Sequence, residues 1–220
     1  TFDNGLPELW ALDDPDGSPT FLGTFYGGVG STLVDVAVEF QGELWFAGDD
    51  GVTGNELWRS DGTVAGTVQV VDIEAGGDSN PEIMAVGVSG LWFKAFRSDT
   101  GNELWRSDGT TAGTQLVTDL VPGPEGSILV PRAAIAGNGM LIYTGAVGIS
   151  NFELHVSDGT PGGTGLLLDL YGPFVSTSPG SYVEYGGLVY YRSPSPNFGS
   201  ELWVTDGTLA GTSMVADIYP

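Results

Sequence analysis

One stretch of twenty residues recurs along the chain and limits the folds that the sequence can adopt. GNELWRSDGTVAGTVQVVDI at 54–73 returns at 101–120, 151–170 and 199–218, and a weaker copy occupies 6–25 without a gap. The Glu-Leu pairs of the five copies start at Glu8, Glu56, Glu103, Glu153 and Glu201. Their spacings are therefore 48, 47, 50 and 48 residues. A period in the forties indicates a repeat architecture with one supersecondary unit per copy.

Each period contains four segments with β-strand character, separated by Gly, Pro, Asn and Asp. In the second complete copy they are PEIMAVGV (81–88), GLWFKAF (90–96), NELWRS (102–107) and TQLVTDL (114–120). Glycine makes up 36 of the 220 residues, which favours strands joined by turns over helices. Four short strands per repeat are typical of a β-propeller blade. The first segment is almost wholly apolar, so we expect an inner strand packed on both faces.

The fold class that follows is all-β, a β-propeller of four-stranded antiparallel blades. We expect one domain over 1–220, with a half blade at 1–28 and four complete blades at about 29–76, 77–123, 124–173 and 174–220. The half blade supplies only its third and fourth strands. Three alternatives stay open: the chain is part of a longer array, the four whole blades close without the half blade, or a partner supplies the missing strands. A five-bladed plan is favoured.

The Asp-Gly-Thr turn between the third and fourth strands has a physical basis. An aspartate can accept a hydrogen bond from the backbone two residues on, and the following glycine tolerates a positive φ. We therefore expect four aspartates to be structural turn residues: Asp61, Asp108, Asp158 and Asp206.

The pattern ELWxSDGTxxGTxxVxDI resembles a repeat found in tandem in large secreted or surface proteins of bacteria. Glu56-Leu57-Trp58, Ser60-Asp61-Gly62-Thr63 and Gly66-Thr67 match it at every anchor. His155 in place of Trp and Thr205 in place of Ser are departures, and the first copy lacks the Asp-Gly-Thr turn. The resemblance implies β-propeller blades and an extracellular, cell-surface or periplasmic setting. It implies no activity and no ligand residues.

The charge of the chain excludes several classes of partner. With 28 acidic residues against 6 basic ones the net charge is −22, and the basic residues are scattered along the sequence. Nucleic acids and anionic membrane surfaces both require clustered Lys and Arg, so neither is expected as a partner. No apolar run reaches the ~18 residues of a membrane span, so we expect no membrane insertion.

Catalysis and metal binding are weakly indicated. The repeated glutamates face separate places around a propeller, whereas acid–base chemistry needs two unlike carboxylates in one pocket. His155 is the only histidine, no cysteine is present and no G-x-S-x-G motif occurs. We therefore predict that the chain is not an enzyme and has no cofactor. Calcium stays open as a ligand of acidic loops, at Asp49-Asp50-Gly51 with Glu56, at 14–17 and at 98–99.

Aromatic residues are the strongest candidates for ligand binding. Trp10, Trp58, Trp105 and Trp203 recur at one position of the blade, and a second position holds Trp45, Trp92, Tyr143 and Tyr190. Such rings could stack on sugars between blades, or they could form the core between blades. The residues predicted to bind a glycan are Trp10, Trp58, Trp105, Trp203 and Tyr190.

The leading hypothesis for function is a non-enzymatic extracellular scaffold that mediates protein–protein interaction or assembly. Loops on a rigid framework usually carry binding, so contacts with a protein partner are expected at 171–180 and 194–199. The alternative is a multivalent lectin with carbohydrate sites between blades.

Overall fold

The strands of the chain form antiparallel sheets in the order in which they occur in the sequence. A computed structural model describes residues 8–12, 17–25, 37–148, 151–170, 172, 175–195 and 199–217. Within these ranges it has one two-stranded sheet and four four-stranded sheets, each a simple up-and-down meander. The β-propeller predicted from the repeat, with a half blade followed by four four-stranded blades, is confirmed.

The strands are numbered in chain order. The half blade holds β1 (Glu8–Ala11) and β2 (Thr20–Thr24). Blade 2 holds β3 (Val38–Phe40), β4 (Glu43–Asp49), β5 (Asn55–Ser60) and β6 (Val68–Val71). Blade 3 holds β7 (Glu82–Gly87), β8 (Gly90–Arg97), β9 (Gly101–Ser107) and β10 (Gln115–Thr118). Blade 4 holds β11 (Ala133–Ile135), β12 (Leu141–Ala146), β13 (Phe152–Ser157) and β14 (Gly165–Leu168), with a 3-10 turn at Pro161–Gly163. Blade 5 holds β15 (Gly180–Tyr185), β16 (Leu188–Ser195), β17 (Gly199–Thr205) and β18 (Ser213–Ala216).

The first strands of the blades lie next to one another around the axis of the propeller. β11 packs against β7 on one side and β15 on the other, and β3 contacts β7. The expectation that this strand is packed on both faces is wrong. In blade 3, Met84 is half-buried, Val86 is 40% exposed, and Val88 lies beyond the end of β7 and is fully exposed. The reason is that the inner strands line an open pocket at the axis, which Met84 borders.

The hydrophobic core lies between successive blades, because each sheet buries its faces against its neighbours. Three clusters fill the spaces between blades 2 and 3, 3 and 4, and 4 and 5. Trp105 stacks on Phe93 with ring centroids 6.3 Å apart, and Trp203 stacks on Tyr191 at 6.4 Å. His155, at the equivalent position of blade 4, lies 5.5 Å from Tyr143 and is 2% exposed. This histidine therefore packs as the tryptophan of the other blades does.

The connections between strands form two different faces. One face, which we call the turn face, carries the turns between the first two strands and the Asp-Gly-Thr turns. Here the turn between the first two strands of a blade contacts the Asp-Gly-Thr turn of the next blade. Gln41 donates to the carbonyl of Asp108, and Asn138 donates to the carbonyl of Asp206. On the linker face, the hairpin between the second and third strands contacts the linker to the following blade, as when the Asn55 amide donates to Asp78. The two faces therefore differ in the parts of the repeat that they present.

None of the helical segments in the described ranges is long and apolar enough to cross a membrane.

Candidate functional site

The tryptophans predicted to bind a glycan lie in different environments. Trp105 and Trp203 are only 5% and 9% exposed, and the guanidinium of Arg97 also covers the Trp105 ring. Trp58 is half-buried, with the Phe25 ring edge-on at 5.1 Å. Trp10, in the half blade, is 51% exposed. Glycan binding at this position stays a prediction, and Trp10 offers the largest free ring surface of the four.

The strand register changes which residues share the second aromatic position of the blade. Trp45 pairs with Arg59, Trp92 with Arg106 and Tyr190 with Val204, so these three rings are equivalent. Tyr143 pairs with His155, which places it one residue further along the strand. The counterpart of Trp92 in blade 4 is therefore Ile142. Tyr190 itself is half-buried and lies 6.5 Å from the Tyr185 ring.

The repeated glutamates tie each blade to the linker that follows it. Glu56 is fully buried and accepts hydrogen bonds from the amides of Ile73 (3.0 Å) and Ser79 (3.1 Å) and from the Ser79 hydroxyl (2.6 Å). In the next blades, Ser127 donates to Glu103 and Thr177 donates to Glu153 in the same way. These carboxylates fix the path of the linkers on the linker face.

Burial of these carboxylates changes their ionisation. Desolvation raises the pKa of Glu103 to about 7 from 4.5, and the hydrogen bond from Ser127 opposes the shift. Burial also raises the pKa of Glu56 and of Glu153. Each carboxylate contacts its own linker and lies in its own blade. Their raised pKa values therefore follow from structural burial and do not identify an acid–base pair.

The Asp-Gly-Thr turns have the same geometry in all four complete blades. Asp158 Oδ1 accepts from the Thr160 amide at 2.8 Å and from its hydroxyl at 2.7 Å. Gly159 has a φ of 91°, in the region that favours glycine. The second glycine of the motif is also required, because a Cβ at Gly163 would lie 2.2 Å from the Asp158 carboxylate. The equivalent aspartates in the other blades, Asp61, Asp108 and Asp206, bond in the same way.

The acidic loops considered for calcium are engaged in local hydrogen bonds. Asp49 accepts from the Gly51 amide and Asp50 from the amides of Val52 and Thr53, while Glu56 binds its linker. Asp99 pairs with Arg97. The segment 13–16 lies outside the described residues. Within the ranges that the structure covers, no three or more acidic or histidine side chains form a group that could hold a metal ion.

A pocket lies at the axis, where the inner strands of blades 3, 4 and 5 meet; we call it the axial pocket. Its volume is about 590 Å³, within the usual range for ligand sites. Its lining is Met84, Pro131, Arg132, Ala133, Ser181, Tyr182 and Arg192. These residues lie at the start of the first strands and the end of a second strand, so the pocket opens towards the linker face.

Two of the six basic residues of the chain therefore meet in one pocket. Both Arg132 and Arg192 are exposed. Ion pairs within the described ranges join Arg59 to Glu43, Lys94 to Glu82 and Arg97 to Asp99. Arg106 donates to the carbonyl of Ser89. By contrast, neither arginine of the axial pocket forms an ion pair or a side-chain hydrogen bond with a residue that the structure describes.

The positions of the blade 3 ion pair are occupied differently in blades 4 and 5, and no carboxylate of the described residues pairs with either arginine. In blade 3 the pocket-side pair of the first two strands is Glu82 opposite Lys94, which form an ion pair. In blade 5 the same pair is Gly180 opposite Arg192. In blade 4 Arg132 lies in the position of Glu82, and its carbonyl accepts from the Thr144 amide at 3.3 Å. At this pair of positions, blades 4 and 5 therefore each have one arginine and no carboxylate.

The wall beside the arginines is held by a short chain of hydrogen bonds. Thr144 donates to the carbonyl of Pro179 at 2.6 Å, so the Tyr182 hydroxyl must donate to Thr144, 2.8 Å away. Burial raises the pKa of Tyr182 further above its ordinary value. Ser181, next in the wall, has a φ of 60°, an uncommon conformation for a residue other than glycine. The wall is thus rigid on one side and strained at Ser181.

A smaller cleft of about 120 Å³ shares Arg132 with the axial pocket; we call it the apolar cleft. Its lining is Leu129, Val130, Arg132, Thr144, Phe152, Ser178 and Pro179. Leu129 and Val130 are 56% and 48% exposed. An aliphatic surface therefore adjoins a guanidinium on the linker face.

Sequence reasoning missed this site because it treated the arginines as scattered. Arg132 and Arg192 are sixty residues apart, and only the strand register brings them together. A signal was available in the repeat itself. Alignment of Glu82 and Lys94 with the other copies shows the carboxylate missing at Gly180. The predicted loops 171–180 and 194–199 belong to the same face, although 171, 173–174 and 196–198 lie outside the described residues.

Comparison with known proteins supports the fold and no family. No protein-family model and no curated protein match the chain. Among solved structures it is similar to puromycin hydrolase, with a TM-score of 0.54 and 18% identity over 96% of this chain and 35% of that one. A mutant of the same enzyme matches with a TM-score of 0.50 and 17% identity over 81% and 27%. TolB from Acinetobacter baumannii gives a TM-score of 0.49 and 16% identity over 97% and 49%. The chain thus spans half or less of the length of these proteins.

This comparison corrects one expectation from the sequence. The prediction that the chain is not an enzyme is wrong, because the fold that the repeat specifies also occurs in a hydrolase. A symmetrical repeat therefore does not exclude catalysis. Unlike polar residues also share one pocket, since the axial pocket combines two arginines with a tyrosine and a serine.

Proposed function

We propose that this chain is an extracytoplasmic β-propeller module that binds partner proteins through its linker face. One observation carries the proposal: two arginines without an ion-pair partner among the described residues meet in the axial pocket on this face. Glu82 pairs with Lys94 in blade 3, whereas no carboxylate in the described part of the chain pairs with Arg132 or Arg192 in blades 4 and 5. Within the described ranges, no ion pair gives these two cations a purely structural role.

The framework supports this role because it holds the linker face rigidly. Buried Glu56, Glu103 and Glu153 each tie down the linker after their own blade. Binding residues on such a framework lose little conformational entropy when they meet a partner. The setting outside the cytoplasm is proposed from the resemblance of the ELWxSDGTxxGT repeat to those of secreted and surface proteins.

Site-directed photocrosslinking tests which face binds. A photoreactive side chain is placed at Val175 on the linker face, where the native residue is 49% exposed, and at Val88 on the turn face, which is fully exposed. Each variant is mixed with the partners that remain bound to the protein during gentle purification, as identified by native mass spectrometry. We expect crosslinks from Val175 and none from Val88. Crosslinks from Val88 alone would overturn the proposal.

A carbohydrate-binding role is the second candidate, and Trp10 favours it. Its ring is 51% exposed, the Phe21 ring lies edge-on at 5.1 Å, and its indole nitrogen donates to Glu8. An exposed ring beside a carboxylate can stack on a sugar and bond to its hydroxyls. Glycan-array binding that disappears in Trp10→Ala supports this role. Binding that is unchanged in that variant rules out Trp10 as the sugar site.

A further inference from the structure

We propose that the axial pocket and the apolar cleft together bind an acidic peptide segment of a partner protein. Two carboxylates of the segment pair with Arg132 and Arg192, and an apolar side chain next to the carboxylate on Arg132 enters the apolar cleft. The inference rests on the proposed function and assigns its ligand chemistry. It identifies two binding residues that the repeat pattern alone does not.

The two guanidinium groups fit a ligand that carries two carboxylates. Arginine presents its donors as a planar fork that matches a carboxylate in a bidentate arrangement. The other four basic side chains of the chain already have acceptors within the protein, namely Glu43, Glu82, Asp99 and the carbonyl of Ser89. No described residue accepts a hydrogen bond from the side chain of Arg132 or Arg192, so these donors are the ones that we assign to an external acceptor. The net charge of −22 repels anions at long range, so an acidic ligand is held only where such local donors are concentrated.

The backbone brings the two arginines to either side of one glycine. Gly180 pairs with Arg192 across β15 and β16. A Cβ at Gly180 would lie 2.9 Å from Nη1 of Arg132, so the Arg132 guanidinium passes over this residue. Any larger residue at 180 would separate the side chains or move Arg132. Because Gly180 has no side chain, it therefore leaves room for two adjacent carboxylates.

The apolar cleft favours a peptide over an acidic polysaccharide. Its aliphatic and aromatic lining comes from Leu129, Val130, Phe152 and Pro179, and Arg132 lies at its edge. A volume of about 120 Å³ accommodates an aliphatic side chain such as leucine. A chain of uronic acids carries carboxylates but no such side chain. A peptide in which a leucine stands between two aspartates meets both requirements.

Binding of short synthetic peptides tests the proposal directly. The probe is a capped Gly-Ser peptide with a central Asp-Leu-Asp, measured by calorimetry on the full chain at physiological salt. The matched peptides carry Asn-Leu-Asn or Asp-Gly-Asp, and an oligogalacturonate supplies carboxylates without a leucine. The protein variants are Arg132→Gln, Arg192→Gln and Gly180→Ala. Arg59→Gln is the control, because it removes the same charge from an arginine outside the pocket.

We expect Asp-Leu-Asp to bind, and each arginine variant to weaken binding by about tenfold or more, as for loss of a charged hydrogen bond. Gly180→Ala also weakens binding, because its Cβ displaces the Arg132 side chain. Arg59→Gln changes the affinity by less than about twofold. Asn-Leu-Asn fails to bind, and Asp-Gly-Asp binds more weakly than Asp-Leu-Asp.

Equal binding of Asn-Leu-Asn, or an equal loss of affinity in Arg59→Gln, overturns the carboxylate site. If oligogalacturonate binds more tightly than the Asp-Leu-Asp peptide, the peptide assignment is wrong. Crosslinking of a partner through Val175 without any peptide binding leaves the proposed function standing and refutes this inference alone.

Discussion

The second glycine of the Asp-Gly-Thr motif provides a sharp test of how each blade holds its outer turn. A Cβ at Gly163 would lie 2.2 Å from the Asp158 carboxylate, a separation that no real contact allows. The φ of Gly163 is compatible with alanine, so the backbone itself opposes nothing. In Gly163→Ala the Asp158 side chain must therefore rotate away. It then loses its hydrogen bonds from the Thr160 amide and hydroxyl.

Two such bonds, at about 0.5–1.5 kcal/mol each and reduced by solvent exposure, predict a loss of about 1–2 kcal/mol. For a chain of this length the melting temperature should fall by about 2–8 °C. The neighbouring Gly162 is the matched control, since a Cβ there meets nothing within 4 Å. Gly162→Ala should leave stability unchanged or raise it by up to ~1 kcal/mol through the unfolded state.

A double-mutant cycle measured by urea unfolding isolates the cause. With Asp158→Ala already present, Gly163→Ala should cost less than about 0.5 kcal/mol, because the group it clashes with is absent. The reasoning is refuted if Gly163→Ala is as stable as Gly162→Ala. It is also refuted if the cost of Gly163→Ala is the same with and without the Asp158 carboxylate.

Three further predictions concern stability. Because the pKa of Glu103 is raised to about 7, its contribution to stability is complete below pH 4.5 and is lost by about pH 7. The free energy of unfolding should therefore fall by up to ~3 kcal/mol over this pH range. Urea unfolding of Glu103→Gln should lack this dependence on pH. The hydrogen bonds from Thr110 lower the pKa of Asp108, so the contribution of this carboxylate to stability is present above pH 3.8 and is lost at lower pH. Acid unfolding of Asp108→Asn should therefore be less steep than that of the unmodified protein. Trp105→Ala should cost about 3–5 kcal/mol and the half-exposed Trp10→Ala clearly less, and equal costs would contradict the packing described between blades.

The repeat made the fold predictable because each copy carries its own turn and strand signals. The sequence located the half blade, the four strands of each blade and the hydrogen bonds that Asp61 and its equivalents accept. These features depend on contacts within about twenty residues. Strand ends were displaced by only one or two residues, as in β8, which begins at Gly90 as expected and extends to Arg97.

Features that depend on contacts between blades could not be derived in the same way. The burial of the inner strand was overestimated at Val86 and Val88, because residue types within one strand do not reveal that the axis is open. The alignment of Tyr143 with Trp92 was off by one residue, because it matched aromatic residues rather than strand register: Tyr143 lies opposite His155, whereas Trp92 lies opposite Arg106. Arg132 and Arg192 became a site only when blades 4 and 5 were placed side by side around the axis.

Hydrogen–deuterium exchange of the protein with and without its natural partner tests the central claim most directly. The claim is that binding occurs on the linker face around the axial pocket. We predict slower exchange on binding at 129–133 and 179–182, with no change in the turns at 61–67 and 108–114 on the opposite face. Protection confined to the turn face, with the axial segments exchanging as in the free protein, would contradict the account.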